Sequence, residues 1–208
     1  MERKVYLILT DTRSLLTRVI KLYTKKPYNH VSLSFDPHFS ELYSFGRKRP
    51  RNPFVGGFVK ESIHTGLLEE AKCAIYCCTI SESQFQKMNH FIQQIEGKKD
   101  LYRYNFIGLF AIALNKEIKR ENAFFCSQFV STVLKEGHVI ELSKHPSHVT
   151  PHDLQQVPLF QLVYQGDFED YKNGLDIRRN VDRAASRTDR IRLLRKKLCN
   201  AYSSFLGA

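Results

Sequence analysis

Asn122-Ala123-Phe124-Phe125-Cys126-Ser127-Gln128-Phe129-Val130 is the stretch on which the reading of this chain turns. After the aromatic run, apolar residues return at Phe129, Val130, Val133 and Leu134, the three-and-four spacing of a helix with one face on a core. Gly137 supplies the glycine expected just past a helix C-terminus. Cys126 therefore falls in the first helical turn. Unpaired backbone N–H groups and the positive end of the helix dipole point at whatever side chain stands there, and both favour an anion. A buried cysteine more often serves as a small apolar residue. A histidine far upstream is what shifts the balance.

That histidine opens His30-Val31-Ser32-Leu33-Ser34-Phe35, in which Val31, Leu33 and Phe35 alternate with His30, Ser32 and Ser34. The period of two predicts a strand with an apolar face and a small, polar one headed by the imidazole. Asp36 to Ser40 reads as a hairpin connection, and Glu41-Leu42-Tyr43-Ser44-Phe45-Gly46 as the returning partner. Gly46 with Arg47, Lys48, Arg49, Pro50, Arg51 and Pro53 reads as a basic loop, and Gly56-Gly57 as a second bend. Elsewhere, Val5–Thr10, Lys72–Ile80 and Phe160–Tyr164 read as strands. Apolar periodicity predicts helices over Leu15–Tyr23 and Phe106–Leu114, and from a Ser81/Gln84 capping box to Gly97. Thr150-Pro151-His152-Asp153 carries an N-cap, an N1 proline and an acidic N3 residue.

A chain of 208 residues, 42% hydrophobic, can bury one good-sized core. Five cysteines, two of them adjacent at Cys77 and Cys78, do not form a disulfide scaffold and fit a reducing compartment. The first residues lack a signal-peptide pattern, and no apolar run has bilayer-spanning length, so a soluble, cytoplasmic protein is expected. The net charge of +11 is concentrated after Lys172-Asn173-Gly174. There Ile177, Val181, Ala184, Thr188, Ile191, Leu194, Leu198 and Tyr202 recur at helical spacing between arginines. The expected division is a body over 1–174 and a basic amphipathic helical appendage over 175–208.

Thiol chemistry on acyl groups needs a thiolate, an imidazole that relays its proton, and a polar group that fixes the imidazole. Cys126 and His30 supply the first two. The third belongs on the strand beside His30, where Glu41 is the acidic candidate and Ser44 a near-equal one. Alternation puts these two on opposite faces, so only one can look toward the ring.

Four segments in this order, Tyr28–Ser34, Glu41–Arg47, Phe125–Val130 and Thr150–Leu154, resemble the permuted NlpC/P60 papain-like hydrolases, and within them the YiiX/YaeF-like permuted amidases. The resemblance covers roughly residues 4–170 and leaves the basic tail unmatched. It implies an α+β fold with a small antiparallel sheet packed on the nucleophile helix. It also implies Cys126 as nucleophile, His30 as general base and a polar third residue on the following strand. Amides, esters or thioesters would be the substrates, in a small molecule, peptide or lipid, with no cofactor.

A non-catalytic binding module of the same fold is the competing reading. A protein whose basic tail does the work is the other, on an anionic membrane surface or, less expected, on nucleic acid. His138, His145, His148 and His152 cluster in sequence, but prolines interrupt them and no further ligand completes a zinc set. Arg47, Lys48, Arg49 and Arg51 suit an anionic headgroup, or simply a solvated loop.

Overall fold

The structure, a computed structural model, describes residues 2–11, 25–49, 52–63, 68, 71–104 and 123–174. The helices expected over Leu15–Tyr23, Phe106–Leu114 and the basic tail lie outside the described residues. By its internal contacts the chain divides into two compact units, Met1–Glu169 and Asp170–Ala208. The elements labelled below belong to the first.

Six strands, β1 (Glu2–Asp11), β2 (His30–Ser34), β3 (Leu42–Arg49), β4 (Asn52–Glu61), β5 (Lys72–Ser81) and β8 (Gln161–Asp167), form one antiparallel sheet. Their order across it is β4-β3-β2-β1-β5-β8. A second, two-stranded sheet pairs β6 (Arg103–Tyr104) with β7 (Ala123–Phe124) in parallel. Helices among the described residues include α1 (Glu82–Gly97), α2 (Cys126–Glu136) and α3 (Pro151–Gln155), with a 3-10 turn at Pro146–His148; residues 168–174 are helical as well. The mixed α+β class holds, but the main sheet is larger than the small one expected.

The basic loop and glycine bend expected between Gly46 and Gly57 are instead an antiparallel pair of strands. β3 runs on through Arg47 and Lys48, and β4 returns with Gly46 opposite Gly57 and Phe45 opposite Phe58. Local composition argued for turns because a strand interior seldom holds two glycines, and β4 also holds a proline. Tertiary packing overrides it. Phe45 and Phe58 meet edge to face at 6.0 Å, and both rings lie against Phe129 of α2, at 5.1 and 5.8 Å. Because β4 is the edge of the sheet, its proline interrupts no interior ladder.

The apolar face of β1, β2 and β5 (Leu7, Leu9, Val31, Leu33, Ala74, Tyr76) joins these aromatics in one core with α1 and α2. From the helices come Met88, Ile92, Ile95, Phe129, Val130, Val133 and Leu134, the stripes that the sequence periodicity marks. α1 begins with the expected reciprocal box, the Ser81 hydroxyl accepting from Gln84 N–H and the Gln84 side chain accepting from Ser81 N–H. α3 begins the same way with Thr150 and Asp153.

The end of α2 differs from expectation. Gly137 is right-handed, with φ −74°, and the left-handed position falls one residue later on His138, φ 51°. His138 N–H donates to Lys135 O and Val139 N–H to Leu134 O, both at 2.9 Å, so the turn is a Schellman motif with histidine where glycine is usual. Gly137 answers a different need. A Cβ there would lie 2.3 Å from Met88 Cγ, so the missing side chain is what lets α1 close on α2.

Candidate active site

His30 is the first residue of β2 and Cys126 the first of α2, so two element ends bring them together. The imidazole and the Cys126 side chain are close enough to act on one another by charge and by hydrogen bonding. Its Nε2 also lies 2.8 Å from Glu61 Oε1. Cys126 is buried, and the His30 and Glu61 side chains are only 12% and 18% exposed.

Two serines complete the cluster. β2 and β3 pair antiparallel with Leu33 opposite Tyr43, which sets Ser32 beside Ser44. Both are fully buried, so the small polar face of β2 is enclosed rather than wet. Ser32 Oγ donates to Glu61 Oε2, and Ser44 Oγ donates to Val31 O at 3.2 Å. Each hydroxyl oxygen also lies 3.3 Å from His30 Nε2.

These contacts fix the tautomer. Burial alone would raise the Glu61 carboxyl, but the His30 charge and hydrogen bonds from His30 and Ser32 outweigh it and hold the group below its ordinary range. An ionised carboxylate only accepts, and both serine protons are already committed. Nε2 therefore carries a hydrogen, shared mainly with Glu61. Nδ1 is left as the nitrogen able to exchange a proton with sulfur. Burial disfavours the charged ring; Glu61 and Cys126, by charge and by hydrogen bond, overcome that and hold His30 well above the usual histidine range.

Of the residues singled out in the sequence, His30, Cys126 and Ser44 come together. Glu41 does not. Its side chain is 57% exposed and receives hydrogen bonds from the Tyr43 hydroxyl and from Lys60, at 3.2 Å, rather than from His30. The carboxylate beside the ring is Glu61, from the far end of β4 and opposite Leu42 in the β3–β4 register. The sequence reading places a basic loop and a bend between Gly46 and Gly57 and assigns Glu61 to no element, so it misses this carboxylate. The only local signal was the β-prone pair Phe58-Val59 after the glycines, too short to mark a strand by itself. Gly46 borders this corner: a Cβ there would make ordinary contact with Glu61 Oε1 at 3.5 Å and His30 Cε1 at 3.7 Å.

The helix N-terminus is braced from outside. Ser127 Oγ donates to Val149 O at 2.6 Å, and that segment is tied through the α3 cap to Asp153, which pairs with Lys144 at 2.6 Å. On β1, Thr10 is paired opposite His30, and its buried hydroxyl has no partner among the described residues. Cys73 and Cys78 are buried on β5, and burial, the first cause for both, pushes each thiol up to about 12. The histidine cluster is local. His145 Nδ1 bonds Ser147 Oγ at 2.7 Å, and no group of three or more metal-ligating side chains forms among the described residues. No helix among them is long and apolar enough to cross a membrane.

Comparison of the chain with protein-family models, with curated proteins and with solved structures found no match.

Proposed function

We propose that the chain is a cysteine hydrolase or acyltransferase of the permuted papain-like kind, acting on an amide, ester or thioester. The observation that carries this reading is one imidazole close enough to act on a cysteine at a helix N-terminus and bonded to a buried carboxylate. A core histidine is satisfied by two hydrogen-bond partners, one for each ring nitrogen, and this one is surrounded by four polar side chains from three strands and a helix. That is the arrangement a nucleophile, a base and an orienting group require.

In the proposed reaction the proton shared by Cys126 and His30 rests on His30 Nδ1, and the sulfur, freed of it, attacks the acyl carbon. Backbone N–H groups of the first α2 turn face the oxygen that becomes negative. As the tetrahedral species collapses, the bond from carbon to the leaving nitrogen, oxygen or sulfur breaks, and His30 returns the proton to that atom. A thioester on Cys126 remains. Water, losing its proton to His30, then releases the acid and restores the thiol; an acceptor hydroxyl or amine in place of water gives acyl transfer. Glu61 stays ionised throughout and holds the ring by Nε2–H.

The test is iodoacetamide labelling at neutral pH with peptide mapping, alongside hydrolysis of p-nitrophenyl acetate. Cys126 should label fastest, since Cys73 and Cys78 are held as thiols up to about 12. Cys126→Ala should lower turnover by on the order of 10³-fold or more. Labelling concentrated on another cysteine, or turnover unchanged in the variant, would remove the assignment.

A further inference from the structure

The segment Lys98-Lys99-Asp100-Leu101-Tyr102-Arg103, between α1 and β6, presents an aliphatic tip among cations. Leu101 is 65% exposed, more than any other large apolar side chain among the described residues. Lys98, Lys99 and Arg103 are exposed beside it, and none pairs with a carboxylate among the described residues. Lys48, exposed on β3, joins them by donating from Nζ to Lys99 O at 3.4 Å. A single exposed leucine is ordinary. Here three cations lie within three residues of it in sequence and a fourth, Lys48 of β3, bonds to the same segment, with Asp100 the one opposing charge in the segment.

The tip is also held firmly. Tyr102, the next residue, stacks on Phe124 at 5.8 Å and meets Phe45 edge-on at 6.0 Å. Its carbonyl lies where a side chain on Gly57 would be, 2.6 Å from the position of a Cβ. Only glycine at 57 lets the loop sit there. Phe124 is two residues from Cys126, so the anchoring ring leads toward the cluster described above.

We propose that this face docks on an anionic lipid surface. Leu101 enters the interfacial layer, and Lys48, Lys98, Lys99 and Arg103 lie among the headgroup phosphates. An exposed aliphatic side chain in a segment rich in cations unpaired among the described residues matches both parts of such an interface, apolar depth and negative surface charge. Single-stranded nucleic acid is the poorer fit, because it needs an aromatic face for a base and the segment's one ring, Tyr102, is taken up by Phe124 and Phe45. The proposal does not depend on the chemistry at Cys126, and it differs from an attachment through the basic tail.

The chain has no tryptophan, so Leu101→Trp in the full-length protein gives a reporter at one place. Mixed with phosphatidylcholine vesicles containing phosphatidylglycerol, its emission should shift to the blue and be quenched by bromine-labelled lipid. Phosphatidylcholine alone should do neither. In co-sedimentation, Lys98→Glu/Lys99→Glu/Arg103→Glu should weaken binding to the anionic vesicles by about tenfold or more, with the circular dichroism melt unchanged. Vesicle binding that leaves the tryptophan emission of the Leu101→Trp variant unshifted would place the contact elsewhere and overturn the proposal. So would unchanged binding of the triple variant, or retention by single-stranded DNA with none by vesicles.

Discussion

Around His30 the decisive question is which neighbour accepts its Nε2 hydrogen, since that neighbour sets the ring's orientation and charge. Glu61 and Glu41 are both carboxylates near the β3–β4 end of the sheet. Only Glu61 is enclosed and 2.8 Å from the ring, whereas Glu41 faces water and Lys60. Hydrogen bonds to a charged group are worth about 1.5–3 kcal/mol. Glu61→Gln should therefore lower turnover on the order of 10- to 100-fold and bring the His30 titration down toward 6.5, its unperturbed value. Glu41→Gln should change neither. A histidine NMR titration together with rate measurements decides between them, and equal effects of the two substitutions would remove Glu61 from its orienting role.

At the scale of the elements, α2 matters most because its first turn carries Cys126 and its last turn meets α1. Its C-terminus divides between two residues a task usually given to one. Gly137 makes room for Met88, and His138 bears the left-handed backbone. A non-glycine residue in that conformation costs about 1 kcal/mol. His138→Gly should accordingly stabilise the protein by roughly 0.5–1 kcal/mol. Gly137→Ala, which forces Met88 aside, should destabilise it by about 1–3 kcal/mol. Urea denaturation of the two variants measures both, and a pair of like sign would mean that the handedness of the turn is not what distinguishes these positions.

For the molecule as a whole, the buried His30–Glu61 pair links stability to pH. The His30 pKa is raised on folding, so its contribution is complete below the unperturbed 6.5 and is lost as pH rises through the higher folded value. The Glu61 pKa is lowered, so its contribution is complete above 4.5 and is lost as pH falls through the lower folded value. The difference in unfolding free energy between wild type and Glu61→Gln should be greatest between about pH 4.5 and 6.5 and should shrink on either side. Urea titrations across pH 3 to 9 would show this, and a difference independent of pH would mean that the two groups do not form an ion pair.

The sequence by itself determined the elements whose signal is local. The period of β2, the stripe and opening cysteine of α2, and the boxes at Ser81 and Thr150 depend on a few adjacent residues, and each is legible without a neighbour. Only the tertiary structure decided what depends on distant partners. β4 is a strand because Phe58 has Phe45 and Phe129 to lie against, overriding a local composition that favours turns. Once β4 pairs, its last residue puts a carboxylate beside a histidine 31 positions earlier. No periodicity encodes that contact, because it is set by strand register and by burial strong enough that the imidazole and the carboxylate must satisfy each other.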